Sequence, residues 1–239
     1  MLKIDLPTYE VKVPSTGKMV KIRPFTVKEE KLLLMALESN DEKEIINTTK
    51  QVINNCIISE PLDLEKIPFF DVDYLFIALR AKSVGESIDV KFRCEAVYDG
   101  TKCGAVFPIK IDIANTEIKK DSNAPMDIEV SSKYTFKMKY PSYTVVKNIL
   151  DNDTTLNKKI YLIASSIAYI VDGEKMYKVS EMPKEEVTQF IESLTHDQFS
   201  KLEYFVDHFP TFVVTADATC PQCGYEHHIE YKDFTHFFV

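Results

Sequence analysis

Two pairs of cysteines, one near the middle of the chain and one near its end, constrain the fold more than any other feature of the sequence. Cys94 and Cys103 form the first pair, and Cys220 and Cys223 form the second. A glycine directly follows the second cysteine of each pair, and each pair lies between segments with strand character. This pattern is typical of two zinc knuckles, in which four thiolates surround one metal ion.

The two pairs differ in spacing. Two residues separate Cys220 from Cys223, a spacing at which one turn presents both sulfurs to a tetrahedral ion. Eight residues separate Cys94 from Cys103, but residues 98–100, Tyr-Asp-Gly, are a turn signal. A small loop inserted there would leave the two sulfurs adjacent. The sequence therefore predicts one structural zinc ion held by all four cysteines.

Other interpretations of the cysteine pairs, and another ligand set, remain open from the residues alone. The cysteines could be free thiols, or disulfides in an oxidising compartment. A CxxC motif also resembles a thiol-redox site, although such a motif normally opens a helix and Cys220 follows a strand-like stretch. His227 or His228 could replace a cysteine as a ligand, but consecutive residues on a strand point to opposite faces.

Length and charge narrow the class of protein. A chain of 239 residues accommodates one large domain or two small ones. Its formal net charge of −8, without a long basic run, argues against nucleic acid as a partner. The longest uncharged apolar-rich run, Ile160–Val171, is too short to span a membrane. Five cysteines and no apolar N-terminal signal favour a reducing cytosol, and hence thiolate over disulfide.

The apolar periodicity predicts an α+β protein, with helical subdomains joined to β-hairpins and a zinc-ribbon-like module of two knuckles. Thr26 with Glu29, and Thr195 with Gln198, are capping boxes that begin helices. Cys56 falls on the apolar stripe of the second helix, which predicts a core position. The predicted elements are a hairpin within residues 3–23, helices beginning at Thr26, Asp41 and Val72, paired strands at Ile88–Phe92 and Phe107–Ile113, a hairpin over 128–140, helices at 141–150 and 157–171, a strand at 176–179, helices beginning at Pro183 and Thr195, and a final strand pair.

The order of these elements predicts three parts. Residues 1–86 form an N-terminal hairpin with a three-helix region, and residues 87–113 with 211–239 form the zinc-ribbon-like β module. Residues 114–210 form an inserted, mainly helical subdomain with a hairpin, and the polar stretch 114–125 is its predicted connection.

Several separated segments resemble one family. They are Arg23–Ala36, Asp71–Glu86, the two cysteine pairs and the aromatic C-terminal segment from Asp233. Together they make the chain similar to the T4-type bacteriophage base plate protein family. That resemblance implies a tail protein of contractile-tailed phages, located in the virion baseplate, assembled in the host cytoplasm and partnered by other baseplate hub or tail proteins.

Some residues of these segments are candidates for contact with such partners. The first helix offers a charged surface, the third helix ends in two cations, and three phenylalanines near the C-terminus either complete the core or form a docking peptide. The candidates are Glu29, Glu30, Lys31, Arg80, Lys82, Phe234, Phe237 and Phe238.

The sequence carries no sign of catalysis. GxSxG, HExxH, a Walker loop and a dinucleotide fingerprint are all absent, so we expect neither an enzyme nor a small-molecule substrate. The leading hypothesis is a structural component of a phage tail baseplate hub. The alternatives are a hub assembly chaperone that is absent from the mature virion, and a zinc-ribbon adaptor in transcription or nucleic-acid handling, which the charge disfavours.

Overall fold

The computed structural model describes residues 5–98, 100–114, 116–121, 124–149, 154–232 and 237. The protein is a mixed α+β chain with small antiparallel sheets, which confirms the predicted fold class. The helices are α1 Val27–Ser39, α2 Glu42–Cys56, α3 Phe69–Ser83, α4 Tyr143–Ile149, α5 Thr155–Ser166, α6 Lys184–Glu192 and α7 His196–Asp207, and a 3-10 turn covers Val179–Glu181.

The strands are short, and most of them pair with a neighbour in sequence. They are β1 Tyr9–Lys12, β2 Met19–Ile22, β3 Ser87–Arg93, β4 Val97–Tyr98, β5 Thr101–Lys102, β6 Val106–Asp112, β7 Glu117–Lys119, β8 Asp127–Glu129, β9 Tyr134–Met138, β10 Ile167–Asp172, β11 Lys175–Lys178, β12 Thr211–Thr219 and β13 Glu226–Tyr231. Every pairing among them is antiparallel.

The chain divides into two compact units. The first consists of Met1–Leu62, Phe70–Lys119 and Thr211–Val239. It contains the β1–β2, β3–β6 and β4–β5 hairpins and a three-stranded sheet in the order β13-β12-β7. Large apolar side chains from its helices and strands are fully buried, among them Leu33, Ile53, Phe70, Phe76, Ile111 and Phe212.

The second unit consists of Asp63–Phe69 and Lys120–Pro210, and its sheet has the order β11-β10-β9-β8. One face of this sheet and the helices α5 to α7 share a single apolar cluster. The buried members of the cluster are Ile128, Val130, Phe136, Met138, Ile163, Ile167, Ile170, Val187, Ile191, Leu202, Phe205 and Val206.

Two predicted elements were wrong in part. The helix predicted to run to Val171 ends at Ser166, and β10 follows it directly. The run from Ile167 to Val171 is rich in β-branched and aromatic residues, and it lies between β9 and β11, so strand pairing prevails over helical periodicity there. The predicted connection 114–125 does contain the boundary between the two compact units, at Lys119 and Lys120, but its residues Glu117–Lys119 form β7, which pairs with β12.

The two capping boxes predicted from the sequence are present in the structure. The carboxylate of Glu29 accepts a hydrogen bond from the N–H of Thr26 at 2.7 Å, and the N–H of Thr195 donates to the side chain of Gln198 at 3.0 Å.

None of the helices in the described part of the chain has the length and apolar composition needed to cross a lipid bilayer.

Candidate metal centre

The second cysteine pair lies in the tight turn between β12 and β13. The N–H of Cys220 donates to the carbonyl of Tyr225 at 2.9 Å, and the N–H of Gly224 donates to the carbonyl of Cys220 at 2.9 Å. Gly224 has a φ of +73°, a left-handed conformation that a side chain would strain. These bonds fold the turn so that Cys220 and Cys223 point to the same side.

The first cysteine pair repeats this arrangement between β3 and β6. The N–H of Cys94 donates to the carbonyl of Ala105 at 2.8 Å, and the N–H of Gly104 donates to the carbonyl of Cys94 at 3.1 Å. Gly104 has a φ of +66°. In both turns the N–H of the first cysteine donates to the carbonyl of the residue after the glycine, and the N–H of the glycine donates to the carbonyl of the first cysteine. The two turns are therefore knuckles of one type.

The longer spacing of the first pair comes from a small inserted hairpin. Strands β4 and β5 pair Val97 with Lys102, and the N–H of Cys103 donates to the carbonyl of Ala96 at 2.8 Å, which closes the hairpin. Without residues 97–102 the sequence would read Cys-Glu-Ala-Cys-Gly, the spacing of the second knuckle. The predicted insertion is therefore present, and it leaves the two sulfurs together.

The four sulfur atoms form one cluster in which every pair lies within 4.8 Å. The Sγ atoms of Cys94 and Cys223 are 3.7 Å apart, and those of Cys103 and Cys220 are 3.8 Å apart. Four thiolates at about 2.3 Å from a tetrahedral zinc ion have sulfurs about 3.8 Å from one another. The donor set and its spacing thus fit a zinc ion, and four sulfurs would leave no open position for a water molecule.

Backbone N–H groups donate to three of these sulfurs and act to lower the pKa of each thiol, against the effect of burial. Burial acts to raise the pKa of the Cys220 thiol, but the N–H groups of Cys223 and Gln222 outweigh it and lower the pKa to about 7. Burial raises the pKa of Cys94 to about 12, although the N–H of Ala96 opposes that shift. Cys94 and Cys220 therefore do not ionise alike, and metal binding to protonated thiols would release protons.

The pKa of the third of these sulfurs, Cys103, is also raised. The N–H of Ala105 acts to lower this pKa, but burial and the thiols of Cys220 and Cys223 raise it by more.

Two of the four cysteines are buried in the protein, and the other two are partly accessible to solvent. Cys94 and Cys220, the first cysteine of each knuckle, are each 1% exposed. The second cysteines are half-buried and line a surface cavity of about 620 Å³ together with Thr101, Lys102 and Gln222. No motif in the sequence marks these three lining residues, because they meet only when the inserted hairpin lies beside the second knuckle.

The two histidines after the second knuckle lie on opposite faces of β13. Nε2 of His227 is 3.2 Å from Sγ of Cys94, and its ring packs on Phe92 with centroids 4.9 Å apart. Nδ1 of His228 lies 2.7 Å from the carboxylate of Asp217 on the exposed face. His227 therefore contacts a sulfur of the cluster, whereas His228 does not.

None of the five cysteines, all of which lie in the described part of the chain, is in a disulfide. Cys56 is fully buried in α2, away from the cluster, and burial raises its pKa to about 11. It lies in the core, as its helical position predicts.

The candidate contact residues of α1 have different surroundings. Glu29 is buried, and its carboxylate lies 2.8 Å from the guanidinium of Arg23, a pairing that the sequence analysis missed. Glu30 is half-buried and Lys31 is exposed. A contact role for any of the three stays a prediction.

The candidates near the end of α3 also differ. Arg80 is buried, and its side chain donates to the carbonyls of Gly85 at 2.9 Å and Phe237 at 3.2 Å. Lys82 is half-buried and pairs with Glu86 at 2.6 Å. The ring of Phe237 is fully buried, so this residue belongs to the protein's own core. Phe234 and Phe238 lie outside the described residues.

These features define an α+β protein with a two-knuckle, four-cysteine cluster. The model of the family described as T4 bacteriophage base plate protein matches residues 6–239. The chain therefore belongs to the T4 bacteriophage base plate protein family, as its sequence segments predicted. Comparisons with curated proteins and with solved structures found no match.

Proposed function

We propose that this protein is a non-enzymatic structural component of the hub of a phage tail baseplate, acting through protein–protein contacts on a zinc-stabilised scaffold. Family membership supports a structural protein of the phage tail baseplate. The observation that carries the finer proposal is the cluster of four sulfurs, because its spacing suits a closed zinc site that stabilises a fold and leaves no position for a substrate.

A mass-spectrometric count tests the place of the protein in the phage. The protein is quantified in purified particles and in the lysate of infected cells, against baseplate proteins of the same particles. We expect a constant, small copy number per particle. Abundance in the lysate together with absence from particles would overturn the proposal in favour of an assembly chaperone.

Binding assays against nucleic acid test the remaining alternative. A scaffold protein with a net charge of −8 should bind DNA and RNA weakly, and without a steep dependence on salt. Tight, strongly salt-dependent binding would contradict the proposal and favour a nucleic-acid adaptor.

A further inference from the structure

The sulfurs of Cys94 and Cys220 hold equivalent places in their knuckles, but their hydrogen-bond donors differ. Cys220 accepts from two backbone N–H groups, those of Gln222 and Cys223. Cys94 accepts from the N–H of Ala96, which corresponds to that of Gln222. The group that would correspond to the second donor, the N–H of Cys103, is engaged elsewhere.

The inserted hairpin is the reason for this difference. It turns the N–H of Cys103 toward the carbonyl of Ala96, where it donates at 2.8 Å and closes the hairpin. The insertion therefore removes one backbone donor from the Cys94 sulfur. Cys94 is only 1% exposed, so a water molecule has little access to its sulfur as a substitute donor.

A side chain lies where the missing donor would be needed. Nε2 of His227 is 3.2 Å from the Cys94 sulfur. Two aromatic rings contact the imidazole, since its centroid lies 4.9 Å from that of Phe92 and 4.8 Å from that of Tyr225. Since a ligating thiolate only accepts hydrogen bonds, the imidazole would carry its proton on Nε2 and donate it to the sulfur.

We infer that His227 is a positioning residue of the metal centre, whose Nε2–H donates to the Cys94 thiolate in place of the backbone N–H that the inserted hairpin withdraws. The inference rests on the proposed zinc site. Hydrogen bonds from outside the ligand set orient ligands and tune their basicity, and losing one costs about 10–100-fold in metal affinity.

The test measures zinc affinity by competition with a chelator, using the full-length chain. His227→Phe keeps an aromatic ring in contact with Phe92 and Tyr225 but removes the donor, and we expect it to weaken zinc binding by about 10–100-fold. His227→Gln keeps an N–H donor and should recover part of the loss. His228→Phe, on the opposite face of the strand, is the matched control and should bind zinc like the wild type.

A deletion variant of the chain distinguishes a hydrogen-bonding role of His227 from a role in packing alone. Deleting residues 97–102 restores the short spacing and frees the N–H of Cys103 to donate to Cys94. In that background His227→Phe should change zinc affinity very little. The cobalt-substituted protein gives a second readout, because the sulfur-to-metal absorption bands should shift in His227→Phe and stay in place in His228→Phe.

Two different failures can be told apart. A wild-type chain that binds no zinc would defeat the proposed metal site itself. A wild-type chain that binds zinc, with His227→Phe equally tight or equally weakened with and without residues 97–102, would overturn the role of His227 alone. If the deletion variant does not fold, the ranking of wild type, His227→Gln and His227→Phe decides.

Discussion

We define the ribbon as β3, β6, β12, β13 and the two knuckles. The ribbon and the second unit differ in how much apolar surface they bury. Near the knuckles the inward side chains of the ribbon are only half-buried, including Val90, Phe92 and Ile229. The second unit instead buries one continuous apolar cluster of sheet and helix residues. The difference teaches where the proposed metal site would matter: it would link the two hairpins of the ribbon where apolar burial is smallest, and the second unit has a continuous apolar cluster of its own.

Removal of the metal should have the largest effect and should separate the two regions. Structural zinc in small finger peptides contributes an apparent binding free energy of about 10–16 kcal/mol, more than the whole net stability of an ordinary domain. We expect a strong chelator to abolish hydrogen-exchange protection in β3, β6, β12 and β13, while β9 and β10 stay protected. Equal loss in both regions would show that the second unit also depends on the metal.

A core substitution in the second unit should destabilise that unit and leave the ribbon and its metal content unchanged. Phe205 is 1% exposed and packs against Tyr140 and Phe209, so Phe205→Ala should cost about 3–5 kcal/mol of unfolding free energy. The melting of the second unit should shift while zinc content stays unchanged. Tyr204→Phe, at the neighbouring exposed position, is the control and should have little effect. Loss of zinc from the Phe205→Ala variant would show that the metal site depends on the core of the second unit, contrary to this expectation.

Glu29→Gln tests a part of the first unit that lies outside the ribbon. Burial acts to raise the pKa of Glu29, but hydrogen bonds from Arg23 and Thr26 lower it from 4.5 to about 2. A lowered pKa means that the charged pair stabilises the fold above pH 4.5 and that this contribution is lost as the pH falls toward 2. At neutral pH the substitution should cost about 2 kcal/mol, as expected for hydrogen bonds to a charged group.

The measurement is chemical denaturation of wild type and variant between pH 7 and pH 2. Their difference in unfolding free energy should shrink as the pH falls from about 4.5 to about 2, and zinc content should be equal in both. A difference that does not change with pH would show that the carboxylate charge is not responsible.

Deletion of residues 97–102 should have the smallest effect on stability. Val97 is 64% exposed, and Thr101 and Lys102 are exposed as well, so the hairpin adds little buried area. Shortening a loop of this size changes the closure entropy by only about 1 kcal/mol. Thermal melting should shift by a few degrees at most with zinc stoichiometry unchanged. A large loss of stability would show that the hairpin supports the first knuckle.

Local signals in the sequence were sufficient for much of the fold and for the cluster. Capping boxes, apolar stripes and the glycines after the cysteines are short-range features, and they identified the starts of α1 and α7 and the two turns, whereas α3 begins at Phe69 and not at Val72. The gathering of the four sulfurs was also predicted, because strands on both sides of each pair require the knuckles to lie at strand ends.

Features that depend on distant partners were not predictable in the same way. The strand Ile167–Asp172 forms because neighbours on both sides pair with it, and β7 forms because β12 lies beside it. The ion pair of Arg23 with Glu29 and the hydrogen bonds of Arg80 depend on the packed fold. The division into three parts and the contact candidates stay predictions.

The most direct test of the central claim is the metal content of the protein purified without added zinc. Elemental analysis combined with native mass spectrometry should find close to one zinc ion per chain, and the double substitution Cys220→Ser with Cys223→Ser should reduce that content strongly while Cys56→Ser leaves it unchanged. A wild-type chain that is fully folded and free of metal would contradict the account.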